Sequence, residues 1–221
     1  MLKLAIFDLD GVIVDTAKYH YLAWKEIAKK FNYNFTEEEN EAFKGVSRLA
    51  CMDILIKLAK KEEMPQDERI ILANQKNDIY LSLIQNIDET ELLQGVVSTL
   101  DMFKSHGVKI ALGSASKNAM IILEKTGIIN KFDVVIDGNL VSKAKPDPEV
   151  FVMAADKLQI DYKDCVVFED AFAGVQAALN ANMKCIGIGL PENLPNAKIV
   201  LKNVGEFTFD LLISLDNVAE L

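Results

Sequence analysis

The feature that most constrains the fold is a series of short apolar runs separated by segments with helical periodicity. The runs are rich in β-branched residues and bounded by Gly, Asp or Ser, which is typical of buried strands. They lie at residues 4–7, 108–112, 134–136, 165–168, 185–188 and 199–201, the last at an expected sheet edge. Helical patterns between them cover residues 97–105, 118–126, 149–158 and 171–181. The alternation predicts an α/β protein with a doubly wound, Rossmann-like parallel sheet.

One region interrupts this alternation. Between residues 16 and 87 there is no strand pattern, and helical patterns cover residues 18–31, 36–44, 47–60 and 66–85. Thr36, followed by Glu39, fits a capping box at a helix start. We therefore predict a Rossmann-like core formed by residues 1–15 and 88–221, with an α-helical cap, residues 16–87, inserted after the first strand. The two chain crossings, near Asp15–Thr16 and near Ile87–Asp88, are the expected hinge.

Composition argues against several classes of partner. The chain has 33 acidic and 24 basic residues, a formal net charge of −9, and no basic stripe that would attract nucleic acid. No apolar stretch is long enough to span a bilayer, and the first residues carry no signal-peptide pattern. The three cysteines are scattered without C-x-x-C spacing, which suits a reducing compartment. We expect a cytoplasmic monomer with neither nucleic-acid nor membrane partners.

Polar side chains follow three of the predicted strands and precede one of the predicted helices. In open α/β sheets, ligands bind beyond the carboxyl ends of the strands, so these positions are the natural place for a site. The residues found there are Asp8 and Asp10 after the first run, Ser114 after the second, Lys145 before the helix at residue 149, and Glu169 and Asp170 after the fourth. We expect all of them at one edge of the sheet.

This set of residues suits phosphoryl transfer that depends on magnesium. A carboxylate can attack a phosphate only if cations offset the repulsion between the two anions. Mg²⁺ prefers oxygen ligands, which Asp8, Glu169, Asp170 and a backbone carbonyl near Asp10 can supply. Ser114 and the amides around Ala115 lie where a helix N-terminus would point at an anion. Lys145 can neutralise a further phosphoryl oxygen as a compact charge.

The two aspartates of the first motif are expected to have different roles. Asp8, bound to the metal, stays ionised and is the predicted nucleophile. Asp10, away from the metal, can take up and deliver a proton as general acid and base. Gly11 permits the tight turn that brings both carboxylates towards one phosphate.

Each motif has a simpler interpretation when it is taken alone. A D-x-D pair is usually a solvated turn, Glu169–Asp170 can be a charge pair at a helix start, and Ser114 can be a helix cap. A calcium loop is also conceivable, but Gly11 has the wrong spacing and a third acidic ligand is missing. All four motifs nevertheless occur in order at the ends of apolar runs, which favours one shared site.

These residues resemble the haloacid dehalogenase superfamily. Its first motif is D-x-D-G-[VT] after an apolar strand, matched by residues 8–12, and its other motifs are matched by Ser114, Lys145 and the pair Glu169–Asp170. The match covers the whole chain and includes a helical cap after the first motif. The resemblance implies a Mg²⁺-dependent enzyme that acts on small phosphorylated compounds.

Within the superfamily, the sequence resembles the β-phosphoglucomutases most. The signals are residues 16–20 with Trp24, then residues 44–48, 76–78 and 114–118. The resemblance implies interconversion of β-glucose 1-phosphate and glucose 6-phosphate through β-glucose 1,6-bisphosphate and a phosphorylated Asp8. It implies catalytic roles for Asp8, Asp10, Ser114 and Lys145. The implied substrate-binding residues are Thr16, His20, Trp24, Lys44, Gly45, Val46, Arg48, Lys76, Ser114, Ala115, Ser116, Lys117 and Asn118. The resemblance also implies that His20 and Lys76 position Asp10.

A mutase needs a second phosphate site that a simple phosphatase does not need, because it holds a bisphosphate in two orientations. Arg48 on the cap can bind the distal phosphate bidentately, and Ser116–Asn118 at a helix start can bind it from the core side. One position departs from the mutase pattern, since Cys51 stands where that pattern has a polar Ser. If that Ser contacts sugar hydroxyls, sugar selectivity differs here.

Other functions stay open at this point. A sugar-phosphate phosphatase of the same superfamily would let water reach the phosphorylated Asp8. A catalytically silent sugar-phosphate sensor is disfavoured by the intact acidic set, and a dehalogenase would leave Asp10 and Asp170 without a role. Without the resemblance, His20 fits an ordinary cap-helix histidine, Trp24 fits cap packing, and Arg48 and Lys76 fit solvent-facing helix positions.

Overall fold

The computed structural model describes residues 2–217 and contains a six-stranded sheet. The strands are β1 (Leu4–Phe7), β2 (Lys109–Gly113), β3 (Val134–Ile136), β4 (Cys165–Glu169), β5 (Lys184–Ile188) and β6 (Val200–Leu201). All neighbouring pairs are parallel, and the order across the sheet is β3-β2-β1-β4-β5-β6. The predicted α/β class and each of the six predicted strands are confirmed, with β6 at an edge.

The central strands are buried on both faces, which explains their continuous apolar sequences. On one face Phe7 and Phe168 stack with ring centroids 4.7 Å apart. Helices α5 (Val96–Ser105), α6 (Ala119–Lys125) and α9 (Asp210–Asn217) contribute to the same hydrophobic cluster. On the other face Ile6 and Val167 pack with α7 (Glu149–Lys157) and α8 (Phe172–Asn180). Successive residues of β1 therefore serve opposite cores, as the two-residue period of a strand requires.

Four helices follow β1 and form the predicted insertion, here called the cap. They are α1 (Ala17–Lys29), α2 (Glu37–Glu41), α3 (Arg48–Leu58) and α4 (Gln66–Leu83). The cap has its own hydrophobic cluster, in which Trp24, Phe35 and Met52 are almost fully buried. The domain boundaries at residues 15–16 and 87–88 stay a prediction.

Local signals set the shape of the cap. The predicted capping box is confirmed, because the Thr36 side chain accepts from the Glu39 amide and the Thr36 amide donates to the Glu39 carboxylate at 2.9 Å. Helix α2 ends at Glu41, earlier than the pattern over residues 36–44 predicts. The chain turns away there and reaches Gly45 with φ of +70°, a left-handed conformation that favours glycine.

The chain enters and leaves the cap at one place, close to the carboxyl end of β1. Val14 forms an antiparallel bridge with Leu92, and the Asp15 amide donates to the Glu91 carbonyl at 2.9 Å. The chain that enters the cap is thereby held beside the chain that leaves it, and the expected hinge stays a prediction. Within residues 2–217, no helix has the combination of length and apolar character that a membrane crossing requires.

Candidate active site

A buried lysine connects two neighbouring strands at the centre of the site. β1 and β4 are adjacent, so Asp8 and Glu169 emerge side by side at their carboxyl ends. The Lys145 ammonium donates to Asp8 Oδ1 at 2.5 Å, to Glu169 Oε2 at 2.8 Å and to the Gly113 carbonyl at 3.2 Å. Burial opposes the charge of Lys145, but the two carboxylates outweigh it and raise the pKa of the ammonium. Lys145 is therefore a fixed cation beside the predicted nucleophile.

Three carboxylates form a cluster suited to a metal ion. One oxygen from each of Asp8, Glu169 and Asp170 lies within 4.8 Å of the others. Burial is the main cause that raises the pKa values of Glu169 and Asp170, and the nearby charge of Asp8 raises them further. A divalent cation would relieve this crowding of negative charge, and an all-oxygen donor set is the one Mg²⁺ prefers. The residues present thus fit a magnesium site.

Two glycines permit the close approach of these carboxylates. Gly11 has φ of +83°, and a Cβ added there would lie 2.1 Å from Asp170 Oδ2. At Gly174, in α8, an added Cβ would lie 2.0 Å from Glu169 Cδ. Any larger residue at either position would displace a predicted metal ligand.

Asp10 has a separate environment from Asp8. Its carboxylate accepts a short hydrogen bond from the Thr16 hydroxyl, and the His20 ring nitrogen Nε2 lies 3.8 Å from Asp10 Oδ1. Burial and the charge of Asp8 raise the pKa of Asp10 to about 6, against the opposing effect of Thr16. A carboxyl with such a pKa exchanges protons readily near neutrality, which suits general acid–base work.

A hydroxyl-rich turn follows β2 and leads into α6. The Ser116 amide donates to Ser114 Oγ at 3.1 Å, and the Asn118 amide donates to Ser116 Oγ at 3.2 Å. Ser114 and Asn118 are buried, whereas Lys117 is exposed. The neighbouring Asn139 supports this turn by donating to the Lys117 carbonyl at 2.9 Å.

The cap contacts the core directly over this turn and the acidic cluster. The Lys44 ammonium lies 3.4 Å from Asp170 Oδ2, and the side chain of Asn118 donates to Asn77 Oδ1 at 2.9 Å. A Cβ added at Gly45 would lie 3.2 Å from the Ala171 side chain, so this part of the cap also approaches the core closely. Asn77 was not among the predicted site residues, although it follows Lys76 directly.

A cavity of about 400 Å³ lies between cap and core. Most predicted site residues line it: Asp8, Asp10, His20, Trp24, Lys44, Gly45, Val46, Arg48, Lys76, Ser114, Ala115, Ser116, Lys117, Asn118 and Lys145. Thr16 is buried beside Asp10 instead, and Glu169 and Asp170 lie behind Asp8. The structure therefore brings the core and cap residues to one cavity, while the role of each remains a prediction.

Two cap residues line the cavity and are also buried in the cap. The Trp24 ring meets Phe43 edge-on, with centroids 5.4 Å apart, and is only 2% exposed. Cys51 is also buried, and its thiol lies 3.6 Å from the Phe43 carbonyl and 3.7 Å from the Val46 carbonyl. Cys51, which stands where the mutase pattern has a Ser, thus lies beneath the loop that carries Gly45 and Val46.

The haloacid dehalogenase-like hydrolase family matches residues 5–188, a range that contains all the strand-end residues described above. The chain belongs to this family. The family assignment predicted from the motifs is thereby confirmed, and the acidic cluster is consistent with the Mg²⁺ dependence that the resemblance implies.

Similar proteins within the family include both mutases and phosphatases. The chain is 38% identical to a β-phosphoglucomutase of Bacillus subtilis over 212 residues, covering 96% of this chain and 94% of that protein. It is 31% identical over 189 residues to fructose-1-phosphate phosphatase YqaB of Escherichia coli, covering 84% and 95% of the two chains. A crystal structure of β-phosphoglucomutase from Clostridium difficile superposes with a TM-score of 0.92 at 39% identity, covering 99% and 98%. The family member described here is therefore similar to β-phosphoglucomutases along its whole length.

Proposed function

We propose that this protein is a β-phosphoglucomutase, which interconverts β-glucose 1-phosphate and glucose 6-phosphate. The observation that carries the proposal is the composition of the cavity between cap and core. Asp8, Asp10 and Lys145 line it together with a second set of anion-binding groups, namely Arg48 and residues 116–118. A bisphosphate needs both sets, because one phosphoryl group reacts while the other must be held.

The reaction begins at Asp8. A carboxylate oxygen of Asp8 attacks the phosphorus of the proximal phosphate, the bond from phosphorus to the sugar oxygen breaks, and Asp10 delivers a proton to that oxygen. In the reverse direction Asp10 takes the proton from the attacking sugar hydroxyl, and the phosphoryl group leaves Asp8. The pKa of about 6 suits Asp10 to both roles.

Charge neutralisation at the nucleophile has two sources. Lys145 already contacts Asp8 at 2.5 Å and stays protonated. Mg²⁺, which we propose is held by Asp8, Glu169, Asp170 and a backbone carbonyl of Asp10, supplies further positive charge beside the transferred phosphoryl group when it is bound.

The distal phosphate is assigned to the cap and to the start of α6. Arg48 is half-buried, and burial lowers the pKa of its guanidinium without removing its charge. The turn at residues 116–118 presents hydroxyl, ammonium and amide groups to the same cavity. The intermediate can exchange its two phosphates between these sets, so the phosphoryl group taken from one sugar oxygen is returned to the other.

Closure of the cap favours transfer to sugar over transfer to water. The contacts of Lys44 with Asp170 and of Asn77 with Asn118 join cap and core around the cavity. We propose that opening and closing pivot at the paired crossings near Asp15 and Glu91, and that closure excludes water from the phosphorylated Asp8.

A second candidate is a sugar-phosphate phosphatase. The similarity to fructose-1-phosphate phosphatase YqaB, at 31% identity, favours it. The same nucleophile serves both reactions, and the two differ only in whether water or a sugar hydroxyl accepts the phosphoryl group.

A panel of sugar phosphates, scored for isomerised product and for free phosphate in the same reaction, tests the proposal. With Mg²⁺ and catalytic β-glucose 1,6-bisphosphate, we expect glucose 6-phosphate from β-glucose 1-phosphate as the main product. Release of free phosphate alone, from whichever sugar phosphate is offered, would refute the mutase and support the phosphatase. Binding of sugar phosphates without any turnover would support a sensor instead.

A further inference from the structure

Behind His20, a lysine and two aromatic rings are buried at the contact between α1 and α4. Lys76 and Tyr80 are four residues apart on α4 and share one face of that helix. Lys76 is 2% exposed and Tyr80 is fully buried, while Trp24, from α1, is 2% exposed. A lysine in such a place has lost nearly all of its hydration and needs other partners.

The rings provide part of that compensation. The Lys76 ammonium lies 4.8 Å from the centroid of Tyr80 and 5.1 Å from the centroid of Trp24, within the range of a cation–π interaction. Burial lowers the pKa of Lys76 to about 7, and the nearby charge of Arg48 acts in the same direction, whereas Cys51 and Asp10 act in the opposite one. The electron-rich ring faces are neutral groups that favour the charged form.

The same lysine contacts the ring of His20. Lys76 Nζ lies 2.6 Å from His20 Nδ1. When Lys76 is an ammonium it can only donate, so Nδ1 then accepts and the proton of the neutral ring lies on Nε2. His20 is neutral because burial, and then the charges of Lys76 and Arg48, lower its pKa well below the ordinary value.

The Tyr80 ring also fixes the plane of His20. The two rings are stacked, with centroids 4.0 Å apart and an interplanar angle of 28°. In this orientation His20 Nε2 is buried, faces Asp10 Oδ1 at 3.8 Å, and has no hydrogen-bond partner among the described residues. A small movement of Asp10 towards the ring would complete an N–H···O bond.

We propose that Tyr80 is a positioning residue, whose ring holds Lys76 as an ammonium and His20 in the plane and tautomer that aim an Nε2–H donor at Asp10. Tyr80 does not touch the reacting atoms and acts only through these two neighbours. The kinetic part of this inference rests on the proposed function, whereas the tautomer of His20 does not depend on it.

Nitrogen-15 NMR of the imidazole side chains tests the tautomer directly. The chain has only two histidines, so His106→Gln identifies the signals of His20. In the wild-type protein in mildly acidic buffer, below the pKa of Lys76, we expect a neutral His20 ring protonated at Nε2. A ring protonated at Nδ1, or one that averages between tautomers as a free imidazole does, would overturn the inference whatever reaction the protein catalyses.

Two substitutions separate the ring of Tyr80 from its hydroxyl. Tyr80→Phe keeps the ring, so we expect it to keep the Nε2–H tautomer. Tyr80→Leu removes the ring, and we expect a mixed tautomer and a kcat lower by roughly tenfold or more, as befits loss of a desolvated cation–π contact. KM should change much less, because the distal phosphate site stays intact. Thermal unfolding and circular dichroism establish that each variant is folded.

The kinetic outcomes distinguish the inference from the proposed function. Equal losses of kcat in Tyr80→Phe and Tyr80→Leu would overturn the role of the ring, as would a Tyr80→Leu variant with unchanged kcat and tautomer. If Tyr80→Leu does not fold, the spectrum of the wild-type protein still decides. Absence of isomerisation by the wild-type protein would refute the mutase, and kcat would then be measured for phosphate release.

Discussion

In the core, the functional side chains are buried and bonded to one another, whereas the cap side chains that reach the core do so around a cavity. Lys145, Asp8 and Glu169 form one connected group with distances of 2.5 and 2.8 Å. The cap instead touches the acidic cluster through the 3.4 Å pair between Lys44 and Asp170 and touches α6 through the side chain of Asn77. The cation that joins the core carboxylates is therefore more deeply buried than the cation through which the cap reaches them.

This difference indicates a division of labour. A buried network of charges cannot lose one member without leaving another charge unpaired. Substitutions in the core should therefore be costly, and the core should act on every substrate in the same way. Partly exposed contacts can open and close at low cost, so the cap is suited to admitting a sugar and selecting the acceptor. Substitutions in the two regions should therefore differ in what they alter as well as in how much.

The largest effect is expected from Asp8→Asn. Loss of the nucleophile should lower both isomerisation and phosphate release by at least about 10⁴-fold, because neither proceeds without a phosphorylated Asp8. Parallel assays of both products, with circular dichroism to check folding, measure this. Substantial residual turnover would show that the reaction uses another acceptor.

Lys145→Ala should come next, with turnover lower on the order of 10²–10³-fold, since it removes a fixed positive charge beside the nucleophile. It should also lower the free energy of unfolding by about 3–5 kcal/mol, because two buried carboxylates lose their shared cation. Urea unfolding measures the second effect. Lys163→Ala is the control, because Lys163 is exposed and pairs only loosely with Asp161 at 3.8 Å. Similar stabilities of the two variants would contradict the account of the core.

Arg48→Ala tests the selective role of the cap. Loss of charge-assisted hydrogen bonds to the distal phosphate should lower kcat/KM for isomerisation by about 10–100-fold. Phosphate release should fall much less, so the ratio of the two products shifts towards hydrolysis. Arg48→Lys keeps the charge without the bidentate geometry and should be intermediate. Equal losses in both products would show that Arg48 belongs functionally with the core.

The smallest effect is expected from Asn77→Ala. It removes one neutral hydrogen bond between cap and core, worth about 0.5–1.5 kcal/mol, so closure should weaken by a few fold. We expect a modest rise in KM and in the fraction of phosphate lost to water. Gln75→Ala is a matched control on the same helix, because Gln75 bonds to Lys30 within the cap. A similar result for both variants would place the effect of Asn77 in cap stability.

The sheet and the acidic cluster could be predicted because their signals are local. Continuous apolar runs identify strands that are buried on both faces, and adjacency of the runs around residues 4–7 and 165–168 brings Asp8 and Asp170 together. The position of Ser114 could be predicted for the same reason, because Ser114 comes directly after the buried strand β2. The predicted roles of the cap residues came from the family resemblance.

Contacts that depend on how helices pack could not be predicted in this way. Helix α9 was missed, because its pattern is short and becomes recognisable only where Leu215 joins the cluster beneath α5. The contact of Lys145 with Asp8 spans 137 positions of sequence and its contact with Glu169 spans 24, and both need the finished sheet. The stack of His20 on Tyr80 requires the packing of α1 against α4, to which the sequence offers no local signal beyond helical spacing.

The central claim is that the phosphoryl group on Asp8 is handed to a sugar rather than to water. Enzyme labelled with radioactive phosphate from β-glucose 1,6-bisphosphate, isolated rapidly and mixed with unlabelled β-glucose 1-phosphate, tests it most directly. We predict that most of the label appears in sugar bisphosphate and glucose 6-phosphate. Recovery of most of the label as free phosphate, at a rate that the sugar does not change, would contradict the account.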